Sequence, residues 1–209
     1  MVYKNLIYRL LLSIFFFLIF FVAINNKYLL FILGTFIYLF VFYEILKFFK
    51  FFNKIILIYL FFSYFCFSLY FFVFFDFYIF YLFVFTIIFF DSFSYFTGKL
   101  FGKNYIFETI SPKKTAEGYI GGIFFTNVFS ICFLYFTNIR IEFGASIILL
   151  NLIIFTSAIG DLMESYFKRI NNIKDSSAYI PGHGGFFDRF DSFIASVIFL
   201  SLYSFFINL

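Results

Sequence analysis

The chain has 209 residues, of which 64% are hydrophobic and only 12% charged, with a formal net charge of +4. That composition excludes an ordinary soluble domain. The two cysteines, Cys66 and Cys132, stand inside apolar runs and exclude both a disulfide framework and a cysteine-based metal site.

A hydrocarbon core of about 30 Å takes roughly 20 apolar residues of helix to cross. Seven stretches qualify: 6–24, 28–46, 55–75, 77–96, 119–137, 145–163 and 192–208. The first follows Lys4 and Arg9 and imitates a signal peptide, but it lacks a small-residue cleavage site and is expected to remain as an uncleaved span. The apolar run 51–90 is too long for one span, and Asp76 breaks it into a hairpin. The expected fold is therefore all-α, a polytopic helical membrane protein with about seven transmembrane helices. The alternating pattern of a membrane β-barrel is absent. Residues 1–90 form the amino-terminal transmembrane helices, and 91–209 form a second region with two polar loops, 97–118 and 164–191.

Phe occurs 46 times, Tyr 17 times and Trp never. Phe, Tyr, Ile, Asn and Lys share AT-rich codons, so a mutational bias that fills lipid-facing positions explains the excess without aromatic cages. Residues that run against the bias (Gly, Pro, His, Asp and Arg) carry more information.

Charge orients the spans. With the amino terminus in the cytoplasm, only Lys27 and Arg140 fall outside, which leaves 13 of the 15 Lys and Arg inside. The positive-inside rule selects this arrangement. Both polar loops then emerge on the cytoplasmic side, and their lysines and arginines converge on one polyanion. Lys47, Lys50 and Lys54 read as ordinary stop-transfer residues facing lipid phosphates. No separate basic domain exists to hold a duplex, so nucleic acid is not an expected partner.

The rarest residues collect in "PGHGGFFDRFD", Pro181 to Asp191, which holds three glycines, the only histidine, two aspartates and an arginine. Asp188 and Asp191 are spaced i, i+3, as are Asp161 and Glu164 at the inner end of the sixth span, so each pair shares a helix face. Carboxylates at a helix amino terminus can serve as caps. At a membrane boundary they are costly unless paired or bound to cations. Mg2+ suits such a site, because it takes hard oxygens from one or two carboxylates plus substrate phosphates. Asp161, Asp188 and Asp191 are the expected metal ligands. Lys168, Arg169, Lys174 and Arg189 supply charge for phosphates, and Gly182, Gly184 and Gly185 allow close backbone approach. No GxxxxGK[ST] stretch is present, which excludes a P-loop.

"SYFKRINNIKDSSAYIPGHGGFFDRFD", Ser165 to Asp191, resembles the signature of the CDP-diacylglycerol synthases, or phosphatidate cytidylyltransferases. The resemblance rests on Ser165, Lys168-Arg169, Lys174-Asp175, Pro181, His183-Gly184-Gly185, Asp188-Arg189 and Asp191. "DSFSYFTGKLFGKNYIFETISPKKTAEGYIGG", Asp91 to Gly122, resembles a second block of the same family, and Gly160-Asp161 with Glu164-Ser165 also fits. Ala116 departs from the tryptophan usual in the family, and the amino-terminal part is shorter than in typical members.

The resemblance implies that phosphatidic acid attacks the α-phosphorus of CTP in the bilayer, giving CDP-diacylglycerol and pyrophosphate. On that reading Asp161, Asp188 and Asp191 hold Mg2+. Lys113, Lys114, Lys168, Arg169, Lys174 and Arg189 neutralise phosphates, while Ser111 and Thr115 add hydrogen bonds. A phosphate monoester has a second pKa of about 6, so the nucleophile is largely ionised at neutral pH. His183 is accordingly expected to orient a phosphate or a carboxylate rather than act as a base. The resemblance also implies a homodimer and an inner-membrane location with a cytoplasmic active site. A CTP-dependent lipid kinase or a CDP-archaeol synthase of similar architecture is the nearest alternative. A transporter is a more distant one, because ionisable residues lie towards span ends rather than at the midplane.

Overall fold

The computed structural model describes Ile14 and residues 18–137, 143–180 and 184–207. Six of its helices are long and apolar enough to cross a membrane. They are α1 (Lys27–Phe48), α2 (Asn53–Leu69, continued by a π-helical turn over Tyr70–Phe74), α3 (Phe77–Phe101), α4 (Ala116–Thr137), α5 (Phe143–Ile170) and α6 (Phe187–Ile207). These account for the second to seventh expected spans. Of the first, residues 18–23 are helical and most of the remainder lies outside the described residues. The chain is an integral membrane protein of helical class. Among the described residues there is no strand, only the isolated bridges Tyr105–Thr115 and Ile180–Gly184.

Local chemistry sets the helix starts. Asn26 caps α1 by accepting from the amides of Tyr28 (2.9 Å) and Leu29 (3.3 Å). Asp76 breaks the long apolar run as expected: its carboxylate accepts from Ile79 N at 2.9 Å, and its carbonyl accepts from the Tyr70 hydroxyl at 3.1 Å. Lys27 lies 5.6 Å from the Phe75 ring centroid, so the α1 start and this hairpin share one end of the bundle.

Two helix pairs organise the second half, α3 against α4 and α5 against α6. Lipid tails are as apolar as the side chains, so these pairs depend on close packing and hydrogen bonds more than on the hydrophobic effect. At Gly118 an added Cβ would lie 2.9 Å from the Ser94 carbonyl and 3.1 Å from Gly98 Cα, which is the closeness that a glycine face permits. Across α5 and α6, Ser192 Oγ donates to the Ser157 carbonyl at 3.3 Å. Tyr38 and Ser63 hydroxyls meet at 2.5 Å, and Ser63 donates to the Ile194 carbonyl at 2.5 Å, which joins α1, α2 and α6.

Phenylalanine does more than face lipid. Phe31 stacks on Phe67 with centroids 5.5 Å apart, and Phe67 meets Phe71 at 4.7 Å inside the bundle. Phe67, Phe71 and Phe83 are fully buried, while Phe61, Phe65 and Phe72 are exposed on the outer surface. The same residue type fills both environments because both are apolar.

The polar segments between helices are shorter than the expected loops 97–118 and 164–191. Helix α3 runs on to Phe101, α4 starts at Ala116, α5 continues to Ile170 and α6 begins at Phe187. The extensions are polar helix held by side-chain pairs, such as Lys168 to Glu164 at i, i+4. The connecting segments are thus 102–115 and 171–186. The first of them packs on the end of α5 that leads into the second: Arg169 Nε donates to the Ile110 carbonyl at 3.1 Å, and Lys114 pairs with Asp161.

Candidate active site

At the end of the bundle that carries the two segments, α5 and α6 bring their carboxylates together. Gly160 makes this possible, because a Cβ there would lie 2.6 Å from Ala195 Cβ and 2.7 Å from the Asp191 carbonyl. Within one turn of α5 from this contact, carboxylate oxygens of Asp161, Glu164 and Asp191 lie within 4.8 Å of one another. Glu164 is 2% exposed and Asp191 9%. Asp91 on α3 adds a fourth acidic group, close enough to interact electrostatically with Asp161 and Asp191.

Two lysines answer this charge. Lys114 pairs with Asp161. Burial alone would lower the Lys114 pKa, but the charge of Asp161 and the neighbouring Tyr119 raise it above the ordinary lysine value. Lys168 bridges Glu164 at 2.8 Å and Asp188 at 3.0 Å. Five carboxylates (Asp91, Asp161, Glu164, Asp188 and Asp191) thus gather around two paired lysines. An unbalanced acidic cluster at a membrane boundary is costly without a further cation. The donor set is three hard oxygens, which fits Mg2+.

Asp188 stands beside this cluster, in contact with Glu164 and sharing Lys168 with it, and has further partners of its own. It accepts from the amide of Ser176 (3.0 and 3.1 Å to its two oxygens), from the amide of Gly185 (2.9 Å) and from Lys168. Gly184, at φ +88°, passes so close that a Cβ there would collide with Asp188 Oδ2. Asp188 therefore pins both ends of segment 176–185, and the three-oxygen cluster contains Glu164 where the sequence suggested Asp188.

The remaining expected residues fall into three groups. Lys113 and Lys174 are exposed on the two connecting segments, Ser111 is half-buried beside Lys113, and Arg189 is exposed on the first turn of α6. Arg169 is committed to the Ile110 carbonyl. Thr115 is 4% exposed, and its Oγ1 accepts from Gly118 N at 3.2 Å as the cap of α4. His183 lies outside the described residues. Lys47, which reads as a stop-transfer residue, donates to the Tyr179 hydroxyl at 2.9 Å and so touches segment 171–186.

Sequence reasoning missed Asp91 and Glu44. Asp91 is hidden as the first residue of a long motif, although an aspartate in an apolar helix is itself a signal. Together with Arg189 it lines a cavity of about 720 Å³ whose other walls are apolar residues of α1, α3 and α6, including Leu30, Phe40 and Phe190. Glu44 is wholly buried on α1.

The cytidylyltransferase family profile matches residues 2–207 of this chain. A phosphatidate cytidylyltransferase of Haemophilus influenzae is 43% identical over 121 residues, 56% of this chain and 42% of the relative. One from Staphylococcus aureus is 44% identical over 108 residues, 50% of this chain and 40% of the relative. Another, from Staphylococcus haemolyticus, is 39% identical over 104 residues, 50% of this chain and 40% of the relative. The chain spans about two fifths of the length of the curated relatives it matches.

Proposed function

The chain belongs to the cytidylyltransferase family, and from that premise we propose that it joins CTP to phosphatidic acid, forming CDP-diacylglycerol and releasing pyrophosphate. A phosphate oxygen of the lipid forms a bond to the α-phosphorus of CTP, and the bond from that phosphorus to the β-phosphate oxygen breaks. The observation that carries the reading is the cluster of Asp161, Glu164 and Asp191, with Lys114 and Lys168 paired to it, where α5 and α6 meet at one end of the bundle.

Asp161, Glu164 and Asp191 would hold Mg2+. When bound, the cation neutralises charge on the triphosphate and the departing pyrophosphate. Lys113, Lys174 and Arg189, exposed around the cluster, would bind substrate phosphates as charge-assisted donors. Lys114 and Lys168 offset the charge of the carboxylates paired to them and help to hold them in place. Asp188 fixes Ser176 and Gly185, and Lys174 stands just before the first of them. The apolar cavity beside Asp91 and Arg189 offers an acyl chain a path to the same end of the bundle. Little proton transfer is needed, since a phosphate monoester is largely ionised at neutral pH, so positioning and charge carry the catalysis.

The cation-rich end is assigned to the cytoplasm by the positive-inside rule. Pairing of two copies is part of the same proposal and rests on family resemblance. The test uses purified protein in detergent with CTP, phosphatidic acid and Mg2+, followed by analysis of lipid and aqueous products. Equimolar CDP-diacylglycerol and pyrophosphate are expected. Absence of both from protein that remains folded and monodisperse would overturn the function.

A further inference from the structure

Glu44 sits one turn from the end of α1, in a part of the chain that carries none of the motifs above, and it is wholly buried. A carboxylate in such a place needs a full set of partners. It has four. Oε1 accepts from the Ser177 hydroxyl at 2.6 Å and the Phe186 amide at 2.8 Å, and Oε2 accepts from the Ser176 hydroxyl at 3.1 Å and the Phe187 amide at 2.9 Å. These donors come from Ser176 and Ser177 within segment 171–186, from its last residue, and from the first residue of α6. Gly185 is bare for the same reason, since a Cβ there would collide with Ser176 Oγ and lie 2.7 Å from Glu44 Oε2.

Asp188 joins the same two stretches of chain, through the amides of Ser176 and Gly185. Two carboxylates from different helices therefore fasten one loop base, each taking donors from both strands of it. Asn171 adds a second tie to the α1 end: its side chain accepts from the amides of Lys50 and Phe51, both at 2.8 Å.

We infer that Glu44 is a positioning residue that locks Ser176–Ser177 and Phe186–Phe187 against α1, and so fixes the neighbouring Lys174 and Arg189 relative to the carboxylate cluster. The inference rests on the proposed reaction for its kinetic consequence and on geometry alone for its structural one. A glutamine cannot substitute. Both carboxylate oxygens accept a backbone N–H, so the amide nitrogen of glutamine would oppose the donor of Phe186 or Phe187, and no rotation of the amide avoids both.

The experiment compares wild type with Glu44→Gln, with Lys54→Gln as a control for an exposed charge elsewhere. Hydrogen exchange of the full chain in detergent is expected to rise in the peptide covering 174–187 and to stay unchanged in peptides from α3 and α4. The KM for CTP is expected to rise about 10-fold or more, the scale of losing a hydrogen bond to a charged group. A purely architectural role would lower the active fraction without moving this KM. Unchanged exchange over 174–187, or an unchanged KM for CTP with fewer active molecules, overturns the inference. If Glu44→Gln is not recovered folded, Ser176→Ala/Ser177→Ala, which removes two of the four donors, goes through the same two assays. Raised exchange and a raised KM for CTP are again expected, and no change in either again overturns the inference. If wild type transfers no cytidylyl group, the proposed function fails and exchange alone decides the role of Glu44.

Discussion

Replacing Gly160 with alanine perturbs the contact that brings the two acidic helices together. The new Cβ would lie 2.6 Å from Ala195 Cβ and 2.7 Å from the Asp191 carbonyl oxygen. Carbon atoms rest at about 3.5–4.0 Å, so α5 and α6 have to separate by about 1 Å at this point. Neither obstacle can swing aside, because one is a methyl group and the other is backbone. Overpacking of this kind costs about 1–3 kcal/mol of stability. The site loses more, because Asp161 adjoins Gly160 and Asp191 carries the obstructing carbonyl. A misplacement of about 1 Å at reacting groups lowers turnover on the order of 100-fold, or about 2.7 kcal/mol of barrier. The assay is the initial rate of CDP-lipid formation, read beside the thermal midpoint in detergent. Gly144→Ala is the matched control on the same helix, because its Cβ would meet nothing within 4 Å, and it should be silent. Gly160→Ala turning over at the wild-type rate would refute the idea that this approach assembles the site.

Asp161→Asn, Glu164→Gln and Asp191→Asn should each raise the Mg2+ concentration for half-maximal rate at least about 10-fold, whereas Asp188→Asn should cut turnover without moving that concentration, because Asp188 holds the loop. A titration in which only Asp188→Asn shifts the Mg2+ requirement would reverse these roles. Lys114 has a pKa raised above the ordinary lysine value, so its charge, and with it the pairing to Asp161, is kept across neutral and mildly basic pH and is lost only as pH rises through the raised value. The thermal-midpoint gap between wild type and Lys114→Gln should therefore stay constant from about pH 6 to 9 and close only at higher pH; a gap that closes within that range would contradict the pairing. For topology, an impermeant thiol reagent applied outside cells should label Lys27→Cys and spare Lys103→Cys. Labelling of both from one side would remove the shared-end arrangement.

Much of the architecture is legible because the bilayer imposes simple rules. Apolar length marks the spans, and Asp76 stands out as a polar residue against a background of Phe. The i, i+3 spacing places Asp161 and Glu164 on one face, but it cannot say which of them meets Asp191. That depends on how α5 and α6 cross at Gly160, which is a matter of packing. Asp188 reads as a ligand from its place near a helix start; what its sequence position does not show is that its oxygens also accept from the amides of Ser176 and Gly185 and from Lys168. Thr115 likewise reads as a donor in a lysine-rich motif, and its second role, capping the helix that follows, is seen only in the structure. Glu44 is the least legible. Its partners lie 132 to 143 residues away, and a lone glutamate near Lys47 resembles any span-end charge.

The central claim is transfer of a cytidylyl group, and the fate of labelled phosphorus tests it most directly. CTP labelled at the α-phosphate and, separately, at the γ-phosphate is supplied with phosphatidic acid and Mg2+, and the extracted lipid is counted. Attack at the α-phosphorus sends the α-label into lipid and the γ-label into pyrophosphate, which is the expected result. Lipid carrying the γ-label without the α-label, with CDP released, would contradict cytidylyl transfer and identify a lipid kinase instead.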